Sequence, residues 1–290
     1  MRFLHRVLPA LSKPRAPGQT GAAPPPADAP PGAPAPLPAS APGPSAELAL
    51  PRIIGHRGAA KHAPENTLVS IRVAAAQGAS WVEVDVKLSA DGVPILMHDD
   101  RLDRTTDAKG PVSARSFEEL RKLDAGGWFH PAFKGERVAA LSETLELCLE
   151  LGLGINLEIK PCPGRAEETA GIALSMALGI WPQDRPPPLV SSFDPLALSM
   201  ARQVVPAWPI GYLVDRRPAD WAAQADALGA ATIHVNARRE TAQTIAEYRA
   251  TGRPVLAYTV NNPAAAKEVL GWGVTGVFTD TPEALVKARV

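Results

Sequence analysis

Two acids interrupt an apolar run in Trp81-Val82-Glu83-Val84-Asp85-Val86. Side chains of an extended strand alternate between its faces, so Glu83 and Asp85 share one face and the valines the other. Glu158 and Lys160 repeat that spacing in Ile155-Asn156-Leu157-Glu158-Ile159-Lys160. His56-Arg57 follows one short apolar stretch and His98 another. Three carboxylates are hard oxygen ligands for one divalent cation, Mg²⁺ or Ca²⁺ with Mn²⁺ also suitable, and without a cation their like charges crowd. Arg57 can grip a phosphate through its planar fork and Lys160 as a point charge. A histidine pair supplies a general base and a general acid across a P–O bond. Singly, each residue has a plainer reading: a surface salt bridge for the acids, a satisfied core histidine, a Glu158–Lys160 ion pair. Their convergence on strand ends carries the inference.

Such convergence needs elements that bring distant segments together. Short apolar strands are predicted over 52–55, 81–88, 155–159, 189–193, 210–214, 232–235, 255–259 and 276–279. Helical sequence falls near 66–77, 142–151, 165–179, 195–204, 218–228, 241–251, 263–270 and 282–289. Strands each followed by a helix imply a parallel sheet, and eight of them close a (β/α)8 TIM barrel. The alternative, an open doubly wound sheet, would carry a Gly-rich phosphate loop that this chain lacks. Catalytic groups of such barrels sit at the C-terminal ends of the strands. His56, Arg57, Glu83, Asp85, Glu158 and Lys160 all fall there, as does the fourth strand's Ser191-Ser192-Phe193. Ser192 joins Arg57 and Lys160 as a candidate for binding phosphate or substrate.

The second strand continues through Asp91-Gly92 into a further apolar run at 93–97. That dipeptide between alternating runs predicts a two-residue hairpin, whose register sets Asp85 directly opposite His98. Residues from about 100 to 140, with a helical piece at 116–123, form an insertion that walls or covers the site.

Composition sets the outer bounds. The chain has 290 residues, with 30 Lys plus Arg against 30 Asp plus Glu. A net charge of zero argues against a nucleic-acid binder, while a small anion needs only local cations. Of 31 prolines, 13 lie in the first 50 residues among Ala, Gly and Ser. Residues 1–50 are therefore expected to be a disordered tail and 51–290 the folded domain, close to the roughly 250 residues of a typical barrel. No apolar run approaches membrane-spanning length, and the start MRFLHRVLPALSK suits at most weak contact with an anionic membrane surface. Two cysteines, Cys148 and Cys162, make neither a disulfide framework nor a zinc site, so reduced thiols in the cytoplasm are expected. His234 shares a strand face with Thr232 and Asn236 and points into the barrel, where a structural duty is the expectation.

At this depth the sequence resembles the glycerophosphodiester phosphodiesterase family, in particular cytosolic bacterial members, over essentially all of 51–290. The likeness rests on Gly55-His56-Arg57-Gly58, Ala63-Pro64-Glu65-Asn66-Thr67, Glu83-Val84-Asp85-Val86 and His98-Asp99. It continues through Leu157-Glu158-Ile159-Lys160-Pro161, Ser191-Ser192-Phe193, Thr259-Val260-Asn261 and Gly276-Val277-Phe278-Thr279-Asp280. The resemblance implies a TIM barrel hydrolysing glycerophosphodiesters to sn-glycerol 3-phosphate and an alcohol. Glu83, Asp85 and Glu158 match the family's ligands to a single divalent metal, and His56 and His98 its catalytic pair. Arg57 and Lys160 match phosphate contacts and Glu65 an edge of the site, while Tyr258 stands where many members have Trp. His56 is expected to be the base and His98 the acid. Two other readings stay open: a lysophospholipase D-type enzyme for longer lipids, and a barrel that binds without catalysis.

Overall fold

The protein is described over residues 48–290 of a computed structural model, and the expectation of a disordered tail lies outside the described residues for 1–47. Among the described residues, runs of Val, Ile and Leu broken by glycine and proline turns form nine strands. They are β1 (Ile53–His56), β2 (Trp81–Leu88), β3 (Pro94–Leu96), β4 (Gly154–Ile159), β5 (Leu189–Ser192), β6 (Ile210–Val214), β7 (Thr232–Asn236), β8 (Val255–Tyr258) and β9 (Gly276–Thr279). The order β1-β9-β8-β7-β6-β5-β4-β2 closes on itself through a β1–β2 pairing. All eight are parallel, and only β3 is antiparallel, on β2. This is the expected TIM barrel.

Helices α1 (Leu68–Ala76), α3 (Leu141–Glu150), α4 (Ala166–Ile180), α5 (Pro195–Val204), α6 (Trp221–Ala227), α7 (Ala242–Arg249), α8 (Pro263–Gly271) and α9 (Pro282–Lys287) connect the strands, with a short α2 (Phe117–Leu120) in the insertion. Their starts follow local chemistry. Thr67, Asp194 and Asn262 accept backbone N–H groups at the N-caps of α1, α5 and α8, and proline with its preset φ opens α5 and α8. Outward-facing Val82, Val84, Val86, Ile155 and Leu157 pack beneath the helices. Residues of the opposite parity, Ile54, Leu189, Leu256 and Phe278, form a separate apolar plug inside the barrel.

The hairpin departs from expectation by one residue. Val86 pairs with Leu96, Lys87 with Ile95 and Leu88 with Pro94. Ser89 N–H donates to Val93 O and Gly92 N–H to Ser89 O, so Ala90, Asp91 and Gly92 form a three-residue loop. Gly92 alone is left-handed, at φ 79°, which matches a type I turn closed by a glycine bulge. Asp91 accepts from Ser89 Oγ and from Phe117 N instead of occupying a primed turn. Consequently Met97, not His98, stands opposite Asp85 and donates its N–H to Asp85 O at 3.0 Å. The insertion that follows has its own small core of Ile95, Met97, Leu102, Val112, Leu120 and Val138, into which Cys162 also packs.

Candidate active site

The strands deliver side chains of one parity to the barrel mouth. His56 ends β1 in register with Glu83 of β2, Glu83 pairs with Asn156 of β4, and Asp85 with Glu158. Arg57, just past β1, is left-handed at φ 52°, and Asn66 is likewise at φ 57°. Asparagine tolerates that region, whereas arginine is strained there and must be held. The Arg57 carbonyl accepts from Asn66 N at 3.1 Å and from Ser70 Oγ at 2.6 Å. A β-carbon on Gly58 would collide with Ser70, so this turn takes no side chain at its second position. The outcome is that Arg57 points inward, its Nη1 2.7 Å from Glu65 and its Nε 3.2 Å from Asp85.

Glu83, Asp85 and Glu158 are all buried, and each offers an oxygen within 4.8 Å of the others'. Their environments differ. Burial, then the charges of Asp85 and Glu158, push Glu83 well above the usual carboxylate range. Glu158 is raised by burial and by Asp85, although Lys160 Nζ donates to it at 2.7 Å. Burial works against Asp85 too, but Arg57, Lys160, His98 and the Asn66 amide outweigh it and hold that carboxyl low. Asn66 clamps Asp85 twice, its Nδ2 donating to the carboxylate at 2.8 Å and its Oδ1 accepting Asp85 N–H at 3.1 Å. One oxygen is left over: Glu83 Oε1 is buried without a hydrogen-bond partner. An orphaned acceptor among three crowded carboxylates suits a cation, so the donor set fits a divalent ion.

Each histidine is anchored by a carboxylate. His56 Nδ1 lies 2.6 Å from Asp280 Oδ1, at the end of β9, and Asp280 Oδ2 accepts from Asn261 Nδ2 at 2.7 Å. His98 Nδ1 lies 2.7 Å from Asp99 Oδ1, and Arg104 of the insertion binds Asp99 through Nε at 2.7 Å and Nη2 at 3.0 Å. Arg104 also forks onto Glu65, which links the insertion to the loop after β1. Burial lowers the His98 pKa, against the pull of Asp85. Both histidines, Arg57, Lys160, Glu83 and Glu158 wall a single cavity of about 290 Å³.

Comparison with known proteins decides the family. Residues 56–284 match the model of the glycerophosphoryl diester phosphodiesterase family. The chain belongs to this family. A glycerophosphodiester phosphodiesterase of Bacillus subtilis is 31% identical over 260 residues, covering 81% of this chain and 85% of the relative. An enzyme of the same name from Caldanaerobacter subterraneus is 31% identical over 81% of this chain and 96% of its own. A phosphodiesterase of Oleispira antarctica, solved with its product sn-glycerol 3-phosphate, is 39% identical with a TM-score of 0.81, covering 83% of this chain and 97% of the other.

In this family member most of the charged residues singled out by sequence do meet at one mouth. His98 reaches it by the bend after β3 rather than by strand pairing with Asp85. Glu65 holds Arg57 and Arg104 and stands outside the wall of the large cavity. Ser192 is a correction. Ser191, in register with Glu158, faces the cavity, so its neighbour Ser192 faces away. The Ser192 hydroxyl donates to Ile159 O at 2.6 Å and accepts from Asp194 N, a structural duty between strands. Sequence alone assigns no role to Asp280, Asn261, Asp99, Arg104 or the Asn66 clamp. All but Arg104 lie inside family motifs, yet their partners are set by tertiary contacts.

Proposed function

We propose that this chain hydrolyses glycerophosphodiesters to sn-glycerol 3-phosphate and an alcohol. The observation that carries the reading is the meeting, on one cavity, of two carboxylate-anchored histidines, two cations, and Glu83 and Glu158 of an acidic triad with an orphaned oxygen. Glu83, Asp85 and Glu158 would hold one divalent cation, Mg²⁺ or Ca²⁺ with Mn²⁺ accepted, which when bound offsets phosphate charge as a Lewis acid. Arg57 and Lys160, fixed in place by Glu65 and Glu158, bind the phosphate oxygens and stabilise the charge that builds on them.

The two histidines take opposite roles because their carboxylates differ. Asp280 is tied to a neutral amide and accepts from His56 Nδ1, which keeps the ring proton on that nitrogen and leaves Nε2 as the acceptor. His56 then takes the proton of the attacking oxygen, either water or the glycerol 2-hydroxyl. Asp99 shares its charge with Arg104, which leaves the His98 imidazolium less stabilised and a better donor to the departing alkoxide. Glu65 orients Arg57, and residues 51–290 constitute the catalytic domain. The two buried free thiols, Cys148 and Cys162, accord with a cytoplasmic setting. Among the described residues no helix is long and apolar enough to cross a membrane.

The deciding assay follows glycerol 3-phosphate release from glycerophosphocholine and glycerophosphoethanolamine, first in EDTA and then with Mg²⁺, Ca²⁺ or Mn²⁺ restored. Activity that vanishes in EDTA and returns with a divalent ion is the expected result. No release under any ion would overturn the reading.

A further inference from the structure

Lysine is among the residues least often fully buried, yet Lys87 of β2 is 0% exposed. It stands two residues past Asp85 on the same strand face, and it does not wall the cavity. Its ammonium donates to Asp100 Oδ1 at 2.8 Å and to the Lys160 carbonyl at 2.7 Å. Lys160 N–H in turn donates to Val86 O at 2.9 Å, so β2 binds both backbone groups of Lys160. None of the steps above uses the Lys87 charge. Stability alone does not account for it either, because an apolar side chain of similar volume in place of a buried ion pair is often neutral or stabilising.

What Lys87 secures is the bend that carries His98. Among the described residues, His98 and Asp99 make no backbone–backbone hydrogen bond. The bend is pinned at its two ends instead. Before it, Met97 N–H donates to Asp85 O at 3.0 Å; after it, the Asp100 carboxylate accepts from Lys87. Asp85 and Lys87 belong to one strand, so the two-residue span is held between two fixed points of the barrel. Asp100 O also accepts Val112 N–H at 2.9 Å, which ties the insertion to the same point. Arg104 holds Asp99 as well, but from a half-exposed position that water screens, whereas the Lys87 ammonium is dry.

We propose that Lys87 is a positioning residue that sets His98 against Lys160 by pinning Asp100 to the end of β4. The proposal rests on the glycerophosphodiester reading above, in which His98 takes part in cleavage. His98 and Lys160 both wall the cavity, so the clamp fixes the separation between a proton-transfer group and a phosphate-binding one. A misplacement of about 1 Å at such a group costs roughly a hundredfold in rate. Lys87 stands outside the cavity wall, so its loss acts on the rate and leaves substrate affinity nearly unchanged.

The test is a double-mutant cycle on glycerophosphocholine hydrolysis by the full chain with a divalent cation. Lys87→Met keeps an unbranched stem and removes the charge; it should lower kcat about ten- to hundredfold with KM within about threefold. In a His98→Ala background the same substitution should cost less than about threefold, since a residue acting through His98 has nothing left to place. Asp100→Ala, at a side chain 52% exposed, repeats the cycle should Lys87→Met fail to fold. Equal losses in both backgrounds assign Lys87 to Lys160 or to the fold, and a kcat within about threefold of wild type shows that the bend needs no clamp; either result overturns the proposal. A second readout needs no turnover. The downfield proton NMR signal of the His98–Asp99 hydrogen bond, identified by its absence from His98→Ala, should broaden or vanish in Lys87→Met. If the wild type cleaves no diester, the activity reading falls and this signal decides the clamp: its loss supports the proposal and its persistence overturns it.

Discussion

Asp280→Asn tests whether a hydrogen-bond chain fixes the proton on His56. Asn261 cannot turn over, because its Oδ1 accepts Asp280 N–H at 2.7 Å and Thr279 Oγ1–H at 3.1 Å. Its Nδ2 therefore points at Asp280 Oδ2, 2.7 Å away. A new amide at position 280 must turn its oxygen to that donor, which leaves its NH₂ facing His56 Nδ1. Nδ1 must then accept, the ring proton moves to Nε2, and the nitrogen that should take a proton already carries one. The shape of the site changes by one atom type, while the base is removed. General-base catalysis contributes about 10²–10⁴ in rate, or roughly 2.7–5.5 kcal/mol of barrier. We expect kcat on glycerophosphocholine to fall by that factor, with KM and the thermal transition little changed. Raising the pH should not rescue it, because the fault is a tautomer and not a charge. A folded variant whose kcat stays within about threefold of wild type, well short of what losing a general base costs, would refute the reasoning.

Three further outcomes follow from the same geometry. In EDTA, Glu83→Gln should raise Tm at pH 8 and the gain should shrink toward pH 5. The folded wild type holds the Glu83 proton to a higher pH than the unfolded chain does, so it loses stability as pH rises between the two pKa values. The loss is about 1.4 kcal/mol, roughly 3–6 °C, for each tenfold by which folding weakens the acid. A gain that is flat with pH would contradict the crowding. Arg104→Ala should lower kcat about tenfold by loosening the His98–Asp99 pair, yet cost no more than about 1 kcal/mol of stability because the Arg104 side chain is 44% exposed; a large Tm loss at unchanged kcat would assign it to folding instead. Gly92→Ala, at φ 79°, should cost about 1 kcal/mol in denaturant unfolding without touching kcat, and no loss would mean that the three-residue loop is wrongly drawn.

What is legible in the sequence follows the range over which each feature is determined. Strands and their parity are local: Val82, Val84 and Val86 must be buried, so Glu83 and Asp85 are forced to the other face. The hairpin type is nearly local and misses by one residue. Asp91 has a partner in Phe117 N, 26 residues on, which no dipeptide rule contains. Ser192 is misassigned because a strand end offers two adjacent serines, and only the pairing of Glu158 with Ser191 tells which one faces inward. Asp280 is 224 residues from His56, so its role is invisible until the barrel closes β9 onto β1. The strand pattern turns His234 inward, where it does reach the cavity, but its free Nδ1 emerges only once the surrounding strands are packed.

The division of the site between barrel and insertion also gives the fold a reason to carry both. His56, the triad and Lys160 sit on or beside strands whose registers are fixed by hydrogen bonds on both edges. His98 instead rides on the bend after β3, held by Arg104 across to Glu65. Glu65 also binds Arg57, so His98, Asp99, Arg104, Glu65 and Arg57 are joined in one charged chain that spans the insertion and the first loop. On the proposed reading His98 is the proton donor for the alcohol, and it stands just past β3 rather than on a barrel strand. His56, Glu83, Asp85 and Glu158 remain on the strands themselves.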